Sequence, residues 1–197
     1  MAIQPIDLQN MYSQMSNVAK SVAGQSQTAQ LADSMQQQAI VQKNLENNSK
    51  VQNLKGMILL ALGEKDKALE VFNQVLAVYP NDIDAHFGSA EIELYNGKFT
   101  GAELEYIEAL KRQTTNRKAL LSLALVCAET GRFTQSDKYL RQALQYYSGE
   151  TEVHYIASVI NVMKGDLKAA ELQIRIAIEI KNDYEKAYEL LSQILYM

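Results

Sequence analysis

Side chains able to do chemistry are sparse in this chain. His86 and His154 are the only histidines and Cys127 is the only cysteine. A metal centre needs several converging ligands, and neither histidine has neighbours at ligand spacing. A lone thiol can form neither an internal disulfide nor a cysteine-rich zinc site. No glycine-rich phosphate loop, nucleophile elbow or paired acidic motif is present. Glu103, Glu105 and Glu108 stand close to Lys111 and Arg112, the pattern of a solvated helix face. The expectation is therefore a protein that is not an enzyme, with no catalytic residue, no metal and no cofactor.

The bulk numbers narrow the partner class. The formal net charge is −4, and no window holds the clustered Lys and Arg that phosphate backbones require, so no nucleic acid is expected. The opening MAIQPIDLQN has no basic flank and no apolar core of the kind a secretory signal needs. No stretch approaches the roughly 18 consecutive apolar residues of a transmembrane helix. The expected compartment is the cytoplasm. Proline is confined to Pro5 and Pro80, which predicts helix nearly throughout.

Those helices must come in pairs. Gly63, Gly97, Gly131 and Gly165 recur every 34 residues. Five positions after each stands a small residue (Ala68, Ala102, Ser136, Ala170), and nine after stands a large one (Phe72, Tyr106, Leu140, Ile174). Glycine permits the left-handed turn between two helices. The small residue lets the helices approach, and the large one, four positions on, lies on the same face and fills the gap beneath. One such hairpin cannot bury its apolar face alone, so the units stack.

The pattern resembles the tetratricopeptide repeat family, whose signature positions fall on Gly56, Gly63, Ala68, Phe72 and Pro80 in the first unit. The resemblance covers about residues 49–197. It implies an all-α solenoid of four 34-residue helix–turn–helix repeats (49–82, 83–116, 117–150, 151–184) and a C-terminal capping helix over 185–197. Asn81-Asp82, Asn116 and Asn182-Asp183 precede the first helices of units, where N-caps belong. In this register His86 and His154 share position 4 of helix A, and Cys127 takes position 11. Both are packed positions in the family, implying structural roles.

Residues 1–48 form a separate, Gln-rich extension, expected to be helical or partly disordered. Leu8, Met11, Tyr12, Met15, Val18 and Val22 recur at spacings of three and four, one apolar stripe on a helix over about 6–23. Such a short helix needs tertiary packing to persist. It is expected to dock, either in the protein's own groove or by exchange in a homo-oligomer. Residues 25–48 are more polar and either fray or pack.

In the family, positions 2, 5, 9, 12 and 13 of helix A line the concave surface. Laid on this sequence, repeat 1 supplies Lys50, Asn53, Met57, Leu60 and Ala61. Repeat 2 supplies Asp84, Phe87, Glu91, Leu94 and Tyr95. Repeat 3 supplies Lys118, Leu121, Leu125, Ala128 and Glu129, and repeat 4 supplies Glu152, Tyr155, Val159, Val162 and Met163. A wall this apolar invites a partner. The expected site is a groove built from Phe87, Glu91, Leu94, Tyr95, Lys118, Leu121, Leu125, Tyr155, Val159, Val162 and Met163, holding a helical or extended hydrophobic protein segment. The chaperone-tail clamp of the family is not expected, since of its cationic and amide positions only Lys118 matches. The implied function is a protein-interaction module: an adaptor, assembly factor or chaperone. The alternative is a structural subunit anchored through its N-terminal helices.

Overall fold

A computed structural model describes residues 34–38, 40–41, 43–44 and 48–197. The chain divides into two compact units, Met1–Asn48 and Ser49–Met197. In the first, every described residue is helical, and Met35, Ile40 and Val41 are exposed. The expected stripe from Leu8 to Val22 lies outside the described residues.

The second unit runs through α1 (49–61), α2 (Lys65–Val78), α3 (Ile83–Tyr95), α4 (Phe99–Arg112), α5 (Arg117–Glu129), α6 (Phe133–Tyr147), α7 (Thr151–Met163), α8 (Leu167–Ile180) and α9 (Glu185–Tyr196). Its residues hold helix and turn with no strand. Three hairpins, α3 with α4, α5 with α6 and α7 with α8, pack most intimately, and each second helix also touches the first helix of the next pair. This is a tandem α-hairpin solenoid.

The turn within each pair is the same device four times. Gly63, Gly97, Gly131 and Gly165 have φ of 81°, 70°, 74° and 79°. Each glycine N–H donates to the carbonyl three residues back, and the following N–H to the carbonyl five back, as in Glu64 N to Leu59 O (2.9 Å) and Arg132 N to Cys127 O (2.8 Å). Both orphan carbonyls at the helix end are thereby satisfied.

Side-chain caps are more selective than the sequence suggested. Asp82 accepts from Ala85 N and Asn116 from Ala119 N, both at 3.0 Å. The expected Asn182-Asp183 cap is corrected: Tyr184 occupies the N-cap of α9 and makes no side-chain cap bond. Its ring stands edge-on to Tyr155 at 5.5 Å, a packing role. Asp166 caps α8 through Ala169 N instead, a second helix of its pair.

The core follows the small-then-large rule. Ala68, Ala102, Ser136 and Ala170 are fully buried, and Phe72, Tyr106, Leu140 and Ile174 lie beneath them. Phe72 shows the mechanism. A Cβ placed on Gly88 would meet its ring at 2.2 Å, and one on Gly56 at 2.6 Å. Neither site tolerates a side chain, so α1 and α3 both close on one aromatic ring. Buried hydroxyls are mostly satisfied by the facing helix, as in Ser136 Oγ to Ala124 O (2.7 Å) and Ser158 Oγ to Ala170 O (2.8 Å).

Candidate functional site

The first helices of the pairs, α1, α3, α5 and α7, present the positions expected on the concave side, but the structure sorts them into three groups. Glu91, Tyr95 and Lys118 are exposed. Leu94, Leu125, Tyr155, Val159, Val162 and Met163 are half-buried. Phe87 and Leu121 are 7 % and 4 % exposed.

The expectation that these last two stand open to a partner is corrected. Leu121 belongs to the core shared by α5, α6 and α7. Phe87 packs with Tyr106, Leu123 and Val126, its ring tilted against Tyr106 at 5.7 Å. Position 5 of helix A faces the next repeat closely enough to be sealed by it. Tyr155, Val159 and Val162 are likewise engaged, packed against the cluster of α8 and α9.

What remains open is a cleft of ≈ 380 Å³ between α1, α3 and the start of α5. Met57, Leu60 and Ala61 of α1 form one wall, and Asp84, Glu91 and Tyr95 of α3 the other. Phe87 and Gly88 lie at the floor, and Lys118 enters from α5. Met57 is 58 % and Tyr95 68 % exposed. Met57, Leu60 and Ala61 hold positions 9, 12 and 13 of the first helix A and Asp84 position 2 of the second, but none is among the expected site residues. The missing signal was glycine: Gly56 and Gly88 draw α1 and α3 onto Phe72, and that approach shapes the cleft.

Two lysines stiffen its aromatic residues. Lys118 Nζ sits 4.6 Å from the centre of the Phe87 ring and Lys65 Nζ 3.5 Å from that of Tyr95, geometry in which the ring quadrupole attracts the ammonium. Asn53, at the clamp position of repeat 1, is buried and donates from Nδ2 to Asp82 Oδ1 at 2.7 Å. It fixes the N-cap of α3 rather than facing a ligand.

The two histidines flank the hairpin interfaces in parallel arrangements. His86 bridges Glu105 Oε2 (2.6 Å, Nδ1) and Pro80 O (3.1 Å, Nε2). His154 bridges Gln173 Oε1 (2.8 Å, Nδ1) and Ser148 O (2.8 Å, Nε2). Both are buried, each tying its loop to the second helix of its pair. The Glu105 hydrogen bond holds the His86 imidazolium above its ordinary range, against the opposing effect of burial. Cys127 is fully buried, and burial pushes its thiol up, which disfavours the nucleophilic thiolate.

A stack of glycine-turned α-hairpins with an inward cleft defines a class, and comparison places the chain in it. The sequence model of the tetratricopeptide repeat matches residues 53–117 and 87–136. Protein CTR9 homolog of Arabidopsis thaliana is 40 % identical over 57 residues, which are 29 % of this chain and only 5 % of that protein. A tetratricopeptide repeat protein from Parabacteroides merdae is similar with a TM-score of 0.68 at 15 % identity, over 76 % of this chain and 58 % of that one. Pseudomonas aeruginosa pilF gives 0.70 at 17 %, over 78 % and 70 %. YrrB, described as a TPR protein with an unusual peptide-binding site, gives 0.56 at 17 %, over 72 % and 73 %. Residues 53–136 thus match the tetratricopeptide repeat, and the second unit has the fold of tetratricopeptide-repeat proteins.

Proposed function

We propose that the chain is a non-catalytic protein-interaction module, an adaptor, assembly factor or chaperone, that holds an amphipathic or hydrophobic protein segment in the cleft between α1 and α3. The observation that carries this reading is the pairing of two large exposed side chains, Met57 and Tyr95, across a concavity with an apolar floor. Apolar surface kept in water beside a preformed concavity is what a binding site offers. The half-buried residues Leu94, Leu125 and Met163 extend the wall beyond the cleft, whereas Tyr155, Val159 and Val162 are taken up by α8 and α9. The likeness to YrrB supports the fold alone.

The test is affinity capture with the wild type against a Met57→Glu/Tyr95→Glu variant. Both positions are exposed, so folding should be retained, as circular dichroism would check. Partners lost with the variant are the cleft ligands. An unchanged set would move binding off the concave face.

A second reading, a structural subunit of a larger complex anchored through residues 1–48, draws on α1. Val51 and Ile58 are 63 % and 52 % exposed. The residues one and two repeats on, Ala85 with Ile92 and Ala119 with Val126, are buried with side chains of the preceding helix. We propose that this exposed face of α1 meets a neighbour in the complex. Deleting residues 1–48 separates the two: an interaction module keeps its partner, and an anchored subunit loses incorporation. The working compartment in this reading is the cytoplasm. Nucleic acid is not the proposed partner, and self-association, if it occurs, would run through Leu8, Met11, Tyr12, Met15, Val18 and Val22.

A further inference from the structure

The cleft carries a charge asymmetry. Asp84 and Glu91 stand seven residues apart on α3 and both line the cavity, two helical turns or about 10 Å along one face. Both are exposed, and among the described residues neither has an ion pair or hydrogen bond. Some other carboxylates of this unit hold cations. Glu103 takes Arg132 through two bonds, at 2.9 Å and 2.7 Å. Glu152 lies 3.4 Å from Arg117, and Glu93 3.7 Å from Lys98. The lysines nearest the cleft are turned to rings, Lys118 to Phe87 and Lys65 to Tyr95.

We propose that the cleft selects protein segments carrying Arg or Lys beside an apolar side chain. This rests on the reading of the cleft as a binding site and names the chemistry of what enters it. The apolar side chain takes the floor between Met57, Leu60 and Phe87, and the cations meet Asp84 and Glu91.

The selection has an attractive and a repulsive component. In the free protein both carboxylates are hydrated at no cost. A bound segment displaces that water, and a carboxylate left without a cation then loses its hydration uncompensated. A guanidinium replaces the water with charge-assisted hydrogen bonds. An acidic segment meets two like charges on the lining, where Lys118 is the one cation, with Lys65 held over Tyr95 beside it. Discrimination by penalty on the wrong partner is a general route to specificity.

The experiment uses the full chain and two synthetic amphipathic peptides, identical in their Leu and Ala positions. One carries two Arg seven residues apart and the other Glu in their place, and binding is read by fluorescence anisotropy. The Arg peptide is expected to bind about tenfold more tightly at low salt, the ratio shrinking as salt screens the rim. Asp84→Asn/Glu91→Gln should bring the ratio close to one by weakening the Arg peptide and relieving the Glu peptide. Equal binding of both peptides to the wild type, abolished by Met57→Glu/Tyr95→Glu, overturns the charge selection and leaves the cleft as a site. No binding of either peptide overturns both. A ratio that survives the Asp84/Glu91 double substitution also overturns the assignment.

Discussion

The two halves of the concave surface share one register and meet opposite fates. In the N-terminal half, Met57 and Tyr95 stand open around a cleft. In the C-terminal half, Tyr155, Val159 and Val162 lie against α8 and α9, with Tyr184 edge-on to Tyr155. A residue's place in the repeat therefore does not decide whether it can bind. The neighbouring helix decides, by sealing or sparing it. Gly56 and Gly88 bring α1 and α3 together over Phe72, while in the last pair the corresponding surface is engaged by α9.

The largest test of this contrast sets a sealed residue against a spared one. Leu121→Ala removes a side chain from the core of α5, α6 and α7, and should cost about 2–5 kcal/mol. Tyr95→Ala should cost under about 1 kcal/mol, chiefly its contact with Lys65. Urea denaturation of both variants gives the comparison directly. Similar costs would mean that Tyr95 is as integrated as Leu121 and that the cleft is not free surface.

A second, smaller contrast lies between the two histidines. Both acceptors of His86 are oxygens that cannot donate, the ionised Glu105 carboxylate and the Pro80 carbonyl. A neutral imidazole has one N–H and can serve only one of them. The charged form serves both, with Glu108 of α4 adding a weaker attraction. His154 faces the uncharged amide of Gln173 in place of a carboxylate. Since the folded protein raises the pKa of His86, its contribution to stability is complete below the ordinary histidine value of about 6.5. It is lost as pH rises through the folded value. Denaturation midpoints should accordingly fall from pH 6 to pH 9 in the wild type. Glu105→Gln, which copies the C-terminal arrangement into the N-terminal half, should flatten that fall. A slope unaltered by this substitution would place the titrating group elsewhere.

The smallest expected effect concerns buried hydroxyls. Ser158 donates to Ala170 O, whereas Ser89 Oγ is buried without a partner among the described residues. Ser89→Ala should stabilise the protein by about 1 kcal/mol and Ser158→Ala destabilise it by a similar amount. Thermal unfolding of the pair reads the opposite signs, and a loss of stability in Ser89→Ala would show that the hydroxyl is satisfied after all.

The architecture was legible because it rests on local rules. Positive φ demands glycine at 63, 97, 131 and 165, and close approach demands small residues at 68, 102, 136 and 170, so spacing alone exposed the pairs. The candidate site was less legible. Phe87 and Leu121 have the composition of a binding wall, and only the packing of later helices reveals them as core. Met57 and Asp84 carried no composition signal, because their exposure follows from how far α1 and α3 close around Phe72. The cap of α9 was misjudged for a similar reason: Asn182 and Asp183 suit a cap by type, but Tyr184 holds that place through its contact with Tyr155.

The glycine turns have a consequence for how such a chain can change in length. At each of the four, a side chain added to the glycine would meet nothing within 4 Å, and the turn's hydrogen bonds close within six residues. No turn depends on distant parts of the molecule for its shape. An in-frame duplication or deletion with its ends in two such turns keeps every remaining helix whole and a glycine at each junction. With its ends at Gly131 and Gly165, such a change leaves α1, α3 and Lys118, which line the cleft, in place.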